Sequence, residues 1–129
     1  MNESIVKSWK HLVHVTVVGR TAAHATAAEA EWKEAVSNAI SHSGAVAHRA
    51  RFAVRIVVRT PEAKTANEKW DIENLVKPTL DAMSAVFGER QRRGLRQAAD
   101  ARVDYLEAEK QSIRNVEQLG ADIDVWLIE

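Results

Sequence analysis

The residues best suited to chemistry are two carboxylates and a lysine in the stretch DIENLVKP, residues 71–78. Asp71 and Glu73 lie two positions apart, and Lys77 follows four positions later. Carboxylate oxygens are the ligands that a hard ion such as Mg²⁺ prefers, and a bound Mg²⁺ can polarise a phosphoryl oxygen and lower the pKa of a bound water. Lys77 would then stabilise the charge that develops on the phosphate or the leaving oxygen. The stretch therefore suggests a metal-dependent site for phosphate chemistry.

Asp100 would add a third carboxylate from a neighbouring strand. Alternation along a strand predicted over residues 100–111 puts Asp100, Asp104 and Lys110 on one face. Three carboxylates brought together repel one another and raise each other's pKa, and a divalent ion removes that penalty. The three carboxylates at positions 71, 73 and 100 are therefore a metal-site hypothesis.

The same residues also have a purely structural interpretation. Glu73, Lys77 and Asp81 are spaced four apart, so on an exposed regular helix they would form ion pairs worth roughly 0.2–0.5 kcal/mol each. Asp71 would then serve only as the N-cap of that helix. Spacing alone leaves both interpretations open, because structural ion pairs give the same pattern as active-site groups.

An arginine-rich run directly precedes the third carboxylate. Its members are Arg90, Arg92, Arg93 and Arg96, with Arg102 just beyond. Residues 85–102 contain five arginines and two carboxylates, so their local charge is 5 − 2 = +3.

The polar stretch at 89–98 predicts a loop or a frayed helical extension. A mobile basic loop beside a carboxylate cluster suits DNA phosphates, which the first four arginines would hold without reading sequence. A charge run is otherwise commonly a solvated loop.

The elements that must position these residues follow from the hydrophobic pattern. Alternation predicts strands over residues 11–18, 52–59, 100–111 and 121–128. Apolar residues at helical spacing predict a first helix that opens at Thr26, with Glu29 as its capping-box partner.

A second apolar stripe at helical spacing follows Trp70, but Pro78 interrupts it. Proline cannot donate to the preceding turn, and it disfavours helical angles at the residue before it. We therefore expect an irregular turn over residues 71–77 and a regular helix from about Pro78 onward. In such a turn Asp71 and Glu73 could converge on one point, whereas in a regular helix positions two apart diverge.

Length and composition limit the fold class and the functions. The 129 residues correspond to one domain, 1–129, and the order β-α-β-α-β-β predicts an α/β or α+β domain whose mixed sheet is covered by two helices. The net charge is zero, which excludes a uniformly basic nucleic-acid coat but permits a local basic patch. Cysteine is absent, which excludes disulfide scaffolds, thiolate zinc sites and thiol nucleophiles.

The sequence also bears on location. No apolar run approaches the roughly 20 residues that span a bilayer. The first residues, MNES, lack the basic-then-apolar pattern of a secretory signal. A soluble, cytoplasmic protein with no membrane partner is therefore expected.

The stretch DIENLVKPTLDAM, residues 71–83, resembles the signature of the RusA family of Holliday junction resolvases. That signature is Asp-x-Asp-Asn-Leu-x-Lys, followed after two or three residues by Leu-Asp-Ala-Leu. A second family block, Asp-Asp-x-x-Val with a lysine at the end of a strand, is similar to residues 99–103 and Lys110 here. The two blocks occur in the family's order, and the chain length is similar to the family's.

The resemblance implies a homodimeric, Mg²⁺-dependent endonuclease that resolves four-way DNA junctions by paired symmetric nicks in recombination and repair. Mn²⁺ could replace Mg²⁺. By position, Asp71, Glu73 and Asp100 would bind the metal. Asp71 and Lys77 would be the catalytic residues, and Lys110 would lie nearer the DNA than the metal. Two sites in a dimer would match the two-fold symmetry of a junction.

Three departures from the family pattern leave other functions open. Glu73 stands where the family has Asp, Ala99 replaces the first Asp of the second block, and the connection from Phe87 to Asp100 is longer than expected. A junction-binding module with weak or no nuclease activity is therefore the second hypothesis. A dimeric interaction protein without a nucleic-acid role is the third. Metal-dependent cutting would separate the first two, and neutralising the arginines would separate both from the third.

Overall fold

Alternating apolar residues and two amphipathic stretches build the helices and strands of the residues that the structure describes. In chain order these are β1 Lys10–Val18, α1 Glu29–His42, β2 Arg51–Pro61, α2 Ile72–Asp81, α3 Ser84–Phe87, β3 Glu89–Arg92, β4 Leu95–Ala98, β5 Val103–Ile113 and β6 Gly120–Ile128. Short 3-10 turns, Asp100–Arg102 and Val116–Gln118, precede β5 and β6. The computed structural model describes residues 9–21, 26–62, 71–92 and 95–128, and of residues 90–92 and 95–97 it describes the backbone alone.

The central sheet has four strands in the order β1-β6-β2-β5. β2 and β5 are parallel, whereas β6 is antiparallel to both β1 and β2. Its strands and the two longer helices follow one another as β-α-β-α-β-β, and the helices pack on the sheet. The predicted single α/β domain with a mixed sheet is thus confirmed. Of the helices that the structure describes, none has the length and apolar character needed to cross a bilayer.

The core lies between the helices and one face of the sheet. Phe52, Val54, Ile56 and Val58 alternate along β2 and are fully buried on that face. The opposite face carries cross-strand ion pairs, of which the contact between Arg55 Nε and the Glu107 carboxylate at 3.0 Å is an example. The predicted division of β2 into an apolar face and an arginine face therefore holds.

Helix α1 begins later than predicted. Its first residue is Glu29 and its N-cap is Ala28, whose side chain offers no hydrogen-bonding group. The Thr26 carbonyl accepts from the Glu29 backbone N–H at 3.2 Å, so a turn precedes the helix. The capping-box start at Thr26 is thus wrong, although the buried stripe of Trp32 and Val36 lies where the spacing predicted it.

Helix α2 runs through Pro78, contrary to the irregular turn predicted before it. Proline leaves the Asn74 carbonyl without its helical donor, but buried contacts with α1 hold the segment helical. The Thr79 hydroxyl donates to the Leu75 carbonyl at 3.1 Å and accepts from the Trp32 indole N–H at 3.0 Å. Tertiary packing therefore overrides the local preference.

The segment predicted as a loop or frayed helix over residues 89–98 is a β-hairpin. Its two strands form a separate sheet in which Glu89 pairs with Ala98 and Arg92 pairs with Leu95. Strand β5 begins at Val103 rather than at Asp100, because the 3-10 turn occupies the three preceding positions. Asp100 thus precedes the alternating part of the strand, and the predicted shared face does not extend to it.

Candidate active site

The N-terminus of α2 is capped by the first of the predicted metal ligands. The Asp71 carboxylate accepts from the Glu73 backbone N–H at 3.1 Å, and the Asp71 carbonyl accepts from the Leu75 N–H at 3.1 Å. Asp71 is therefore the N-cap of α2. Because the helix is regular from Ile72 onward, Asp71 and Glu73 are not brought together by a turn as predicted.

One cavity brings together groups from both sequence blocks. It has a volume of about 400 Å³ and lies between α2 and β5, with Glu73, Lys77 and Asp100 among its lining residues. Its apolar walls are Ile72, Val76, Leu80, Leu106 and Ala108. The helix contributes residues four apart, which lie above one another on one face. Regular helical spacing thus places Glu73 and Lys77 in the lining of the cavity that Asp100 also lines.

Lys77 forms the ion pair that the structural interpretation expected. Its Nζ lies 3.7 Å from Asp81 Oδ2, one helical turn on, and 54% of its side chain is exposed. An exposed pair of this kind contributes only a few tenths of a kcal/mol, roughly. A phosphate at the cavity can therefore compete with Asp81 for the ammonium group.

The donor chemistry at the cavity suits a hard divalent ion, since Glu73 and Asp100 supply carboxylate oxygens there. Asp71 lies outside the cavity lining, at the N-cap. In the part of the chain that the structure describes, no three His, Asp or Glu side chains are grouped so that they could hold a metal ion. Like charges repel in the absence of an ion, so Mg²⁺ binding would require these carboxylates to move together.

Asp104 is held in a structural ion pair on β5. The register with β2 shifts between Val103 and Tyr105, which breaks the strand alternation there. The Arg51 Nε lies 3.0 Å from both Asp104 carboxylate oxygens. This hydrogen bond lowers the pKa of Asp104 and raises that of Arg51.

The Arg51–Asp104 pair predicts a pH-dependent contribution to stability. Because the pKa of Asp104 is lower in the folded protein, its contribution is complete above the unfolded value of about 3.9 and is lost as the pH falls through the folded value. The native protein should therefore lose more stability between about pH 5 and pH 3 than Asp104→Asn does, by a small amount since both side chains are about half exposed. Urea unfolding at several pH values measures this difference, and parallel pH profiles would contradict it.

The predicted DNA contacts that the structure describes are distributed over three strands. Lys110 lies on β5 opposite the buried Val58, on the helix-covered side of the sheet and two residues beyond the cavity residue Ala108. Arg90 and Arg92 are on β3 and Arg96 is on β4.

The hairpin register gives the backbone positions of these arginines. Arg90 pairs with Gln97, and Gln91 pairs with Arg96. Arg93 lies outside the described residues.

Arg102 is the residue whose role sequence analysis missed. It was grouped with the basic run, but its guanidinium donates to the Phe87 carbonyl at 2.6 Å and to the His48 carbonyl at 3.3 Å. No sequence pattern signals this role, because both carbonyls belong to residues distant from Arg102 in the chain. A run of charge in sequence does not separate a cation that faces solvent from one that bonds main-chain carbonyls.

No protein-family model matches the chain, and no curated protein matches it. The features that bear on function are the cavity between α2 and β5, the hairpin that packs against α2 and the motif at residues 71–83.

Proposed function

We propose that the protein is a Mg²⁺-dependent endonuclease that cuts branched DNA, four-way junctions in particular. The observation that carries the proposal is the shared cavity of Glu73, Lys77 and Asp100, which come from two separate parts of the chain. Carboxylates that could hold a metal ion and a half-exposed lysine are groups that can promote phosphodiester hydrolysis.

Each residue at the cavity has a defined role in this proposal. Glu73 and Asp100 would hold the ion, with Asp71 joining them from the N-cap. Bound Mg²⁺ would supply a polarised phosphoryl oxygen and an activated water. Lys77 lines the same cavity as these carboxylates, and its ammonium group would stabilise the charge that develops on a phosphate bound there.

Branched DNA is favoured over small phosphate esters because basic residues continue beyond the cavity. Strand β4 packs against α2, so the arginine-bearing hairpin lies beside the helix that carries Glu73 and Lys77. Lys110 continues along the edge strand β5 past the cavity. Such contacts would bind successive phosphates without reading sequence. Two copies in a homodimer would address the two symmetry-related strands of a junction.

Cleavage of a labelled four-way junction in Mg²⁺, and then in Mn²⁺, tests the proposal. We expect paired symmetric nicks from the native protein and none from Asp71→Asn or Asp100→Asn. Asparagine is as good an N-cap as aspartate, so Asp71→Asn should remove a metal ligand and leave α2 intact. Asp104→Asn is the matched control, because that carboxylate is paired with Arg51, and it should cut normally. Nicks that persist in Asp100→Asn, or without a divalent ion, would overturn the proposal.

A junction-binding module is the second candidate function. The observation that favours it is that the three carboxylates are not gathered into a metal-holding group among the described residues. Tight, junction-selective binding with no nicks in either metal would establish this function instead. Reversion of Glu73 to Asp and of Ala99 to Asp would then be the first substitutions to try.

A further inference from the structure

The base of the hairpin is joined across its two legs. The Ala99 backbone N–H donates to the Gly88 carbonyl at 2.9 Å, one step below the pair of Glu89 and Ala98. Both Ala98 and Ala99 are buried. The two ends of the hairpin are therefore held together inside the domain, and its strands extend from that point.

Arg102 adds a second connection below this one. Its guanidinium Nη1 donates to the Phe87 carbonyl, which immediately precedes the hairpin, at 2.6 Å. The same nitrogen lies 3.3 Å from the His48 carbonyl in the loop between α1 and β2. Arg102 itself follows the second leg, in the 3-10 turn that contains Asp100. The Arg102 side chain thus connects the residues before β3 and after β4 to the loop between α1 and β2.

Gly88 leaves the space that this guanidinium occupies. A Cβ at Gly88 would lie 3.0 Å from Arg102 Nη1, and the backbone there has φ +79°. The hairpin thus departs through a residue whose backbone and lack of a side chain both suit the contact. The connection depends on a local arrangement of several residues and not on one long side chain alone.

We propose that Arg102 is a positioning residue for DNA binding: it clamps the base of the hairpin and so fixes the position of β3 and β4, the strands whose sequence contains Arg90, Arg92 and Arg96. The proposal rests on the proposed function, because it assigns the hairpin to the DNA. A phosphate could take the Nη1 hydrogen bonds only if the two carbonyl contacts were broken. Arg102 therefore acts through the hairpin, and a clamped hairpin pays less ordering entropy on binding.

Salt-dependent binding of a four-way junction without metal tests this role. Arg102→Met should weaken the affinity by about tenfold through lost preorganisation. The slope of log K against log salt should stay unchanged, because the same phosphates are contacted once the hairpin is ordered. Arg90→Gln, which removes a direct contact in this proposal, should instead reduce the magnitude of that slope by about 0.9. Arg102→Lys retains a donor for one carbonyl and should restore part of the affinity.

Junction affinity in an arginine-depleted background and hydrogen exchange at the hairpin test the positioning role further. In a background where Arg90, Arg92 and Arg96 are all replaced by glutamine, Arg102→Met should cause little additional loss, since the hairpin no longer offers those contacts. Hydrogen exchange of peptides covering residues 88–99 should rise in Arg102→Met and be partly restored in Arg102→Lys, with cooperative unfolding retained in both.

Different results would contradict the positioning role of Arg102 and the proposed nuclease function. Unchanged junction affinity in Arg102→Met, or a slope reduced as in Arg90→Gln, would overturn the positioning role while the native protein still binds and cuts. Absence of junction binding by the native protein would remove the proposed function, and the inference with it. If Arg102→Met does not fold, Arg102→Lys provides the test. Junction affinity and hairpin hydrogen exchange that both equal those of the native protein would then count against the clamp.

Discussion

Substitution of Lys77 by methionine is expected to lower the rate of junction cleavage by about 10²- to 10³-fold, the usual effect of removing one charge-stabilising group. Methionine keeps an unbranched apolar stem beside the cavity walls. The exposed ion pair with Asp81 is the main stabilising contact at risk. The free energy of unfolding should therefore change by no more than about 0.5 kcal/mol. Single-turnover cleavage and urea unfolding of the same preparation measure the two effects.

Asp81→Asn is the matched control for this prediction. It breaks the same ion pair from the other side, at 3.7 Å, and leaves the Lys77 ammonium group in place. Its stability should match that of Lys77→Met, while cleavage continues at close to the native rate. Equal loss of cleavage in both variants would mean that Lys77 acts through its ion pair with Asp81. The purely structural interpretation of the spacing would then explain the effect of Lys77→Met.

Gly120→Ala is expected to destabilise the fold by roughly 3–5 kcal/mol, the largest effect on stability that we foresee. An added Cβ would lie 1.9 Å from the Val17 carbonyl oxygen, where β1 and β6 pair, and φ at Gly120 is +148°. The clash is with backbone, so the two strands would have to separate to relieve it. Urea unfolding measures the loss, and a reduced yield of folded protein would be consistent with it.

Gly44→Ala serves as the comparison for Gly120→Ala. Gly44 also has a positive φ, +80°, but a Cβ there would meet nothing within 4 Å. Only the left-handed backbone penalty of roughly 1–2 kcal/mol should appear. A loss at Gly44 as large as that at Gly120 would show that backbone conformation, and not the approach of β1, explains both.

The pattern of apolar residues was enough to predict the sheet and the order of its elements. The alternation along β2 was readable because one face packs on helices and the other carries arginines. The course of α2 was not predictable, because Pro78 argues locally for a break. What keeps the helix continuous is the contact of Trp32 with Thr79, between residues 47 positions apart in the chain.

The candidate site was predictable in composition but only partly in geometry. Glu73, Lys77 and Asp100 do line one cavity, yet the expected convergence of Asp71 with Glu73 depended on a turn that the helix replaces. The roles of Arg51 and Arg102 depend on partners about 50 and 15 residues away, Asp104 and the Phe87 carbonyl. Pairings of that range are set by the assembled fold and leave no local pattern in the sequence.

The central place of β6 in the sheet affects how the protein folds during its synthesis. β6 hydrogen-bonds to β1 on one side and to β2 on the other, and it is the last of the four strands to leave the ribosome. In the sheet that the structure describes, β1 pairs with β6 alone. While the chain grows, β2 and β5 can associate, but β1 must wait for a segment about a hundred residues further on. Until then β1 and β2 present unpaired edges, which are open to chaperones and to neighbouring nascent chains.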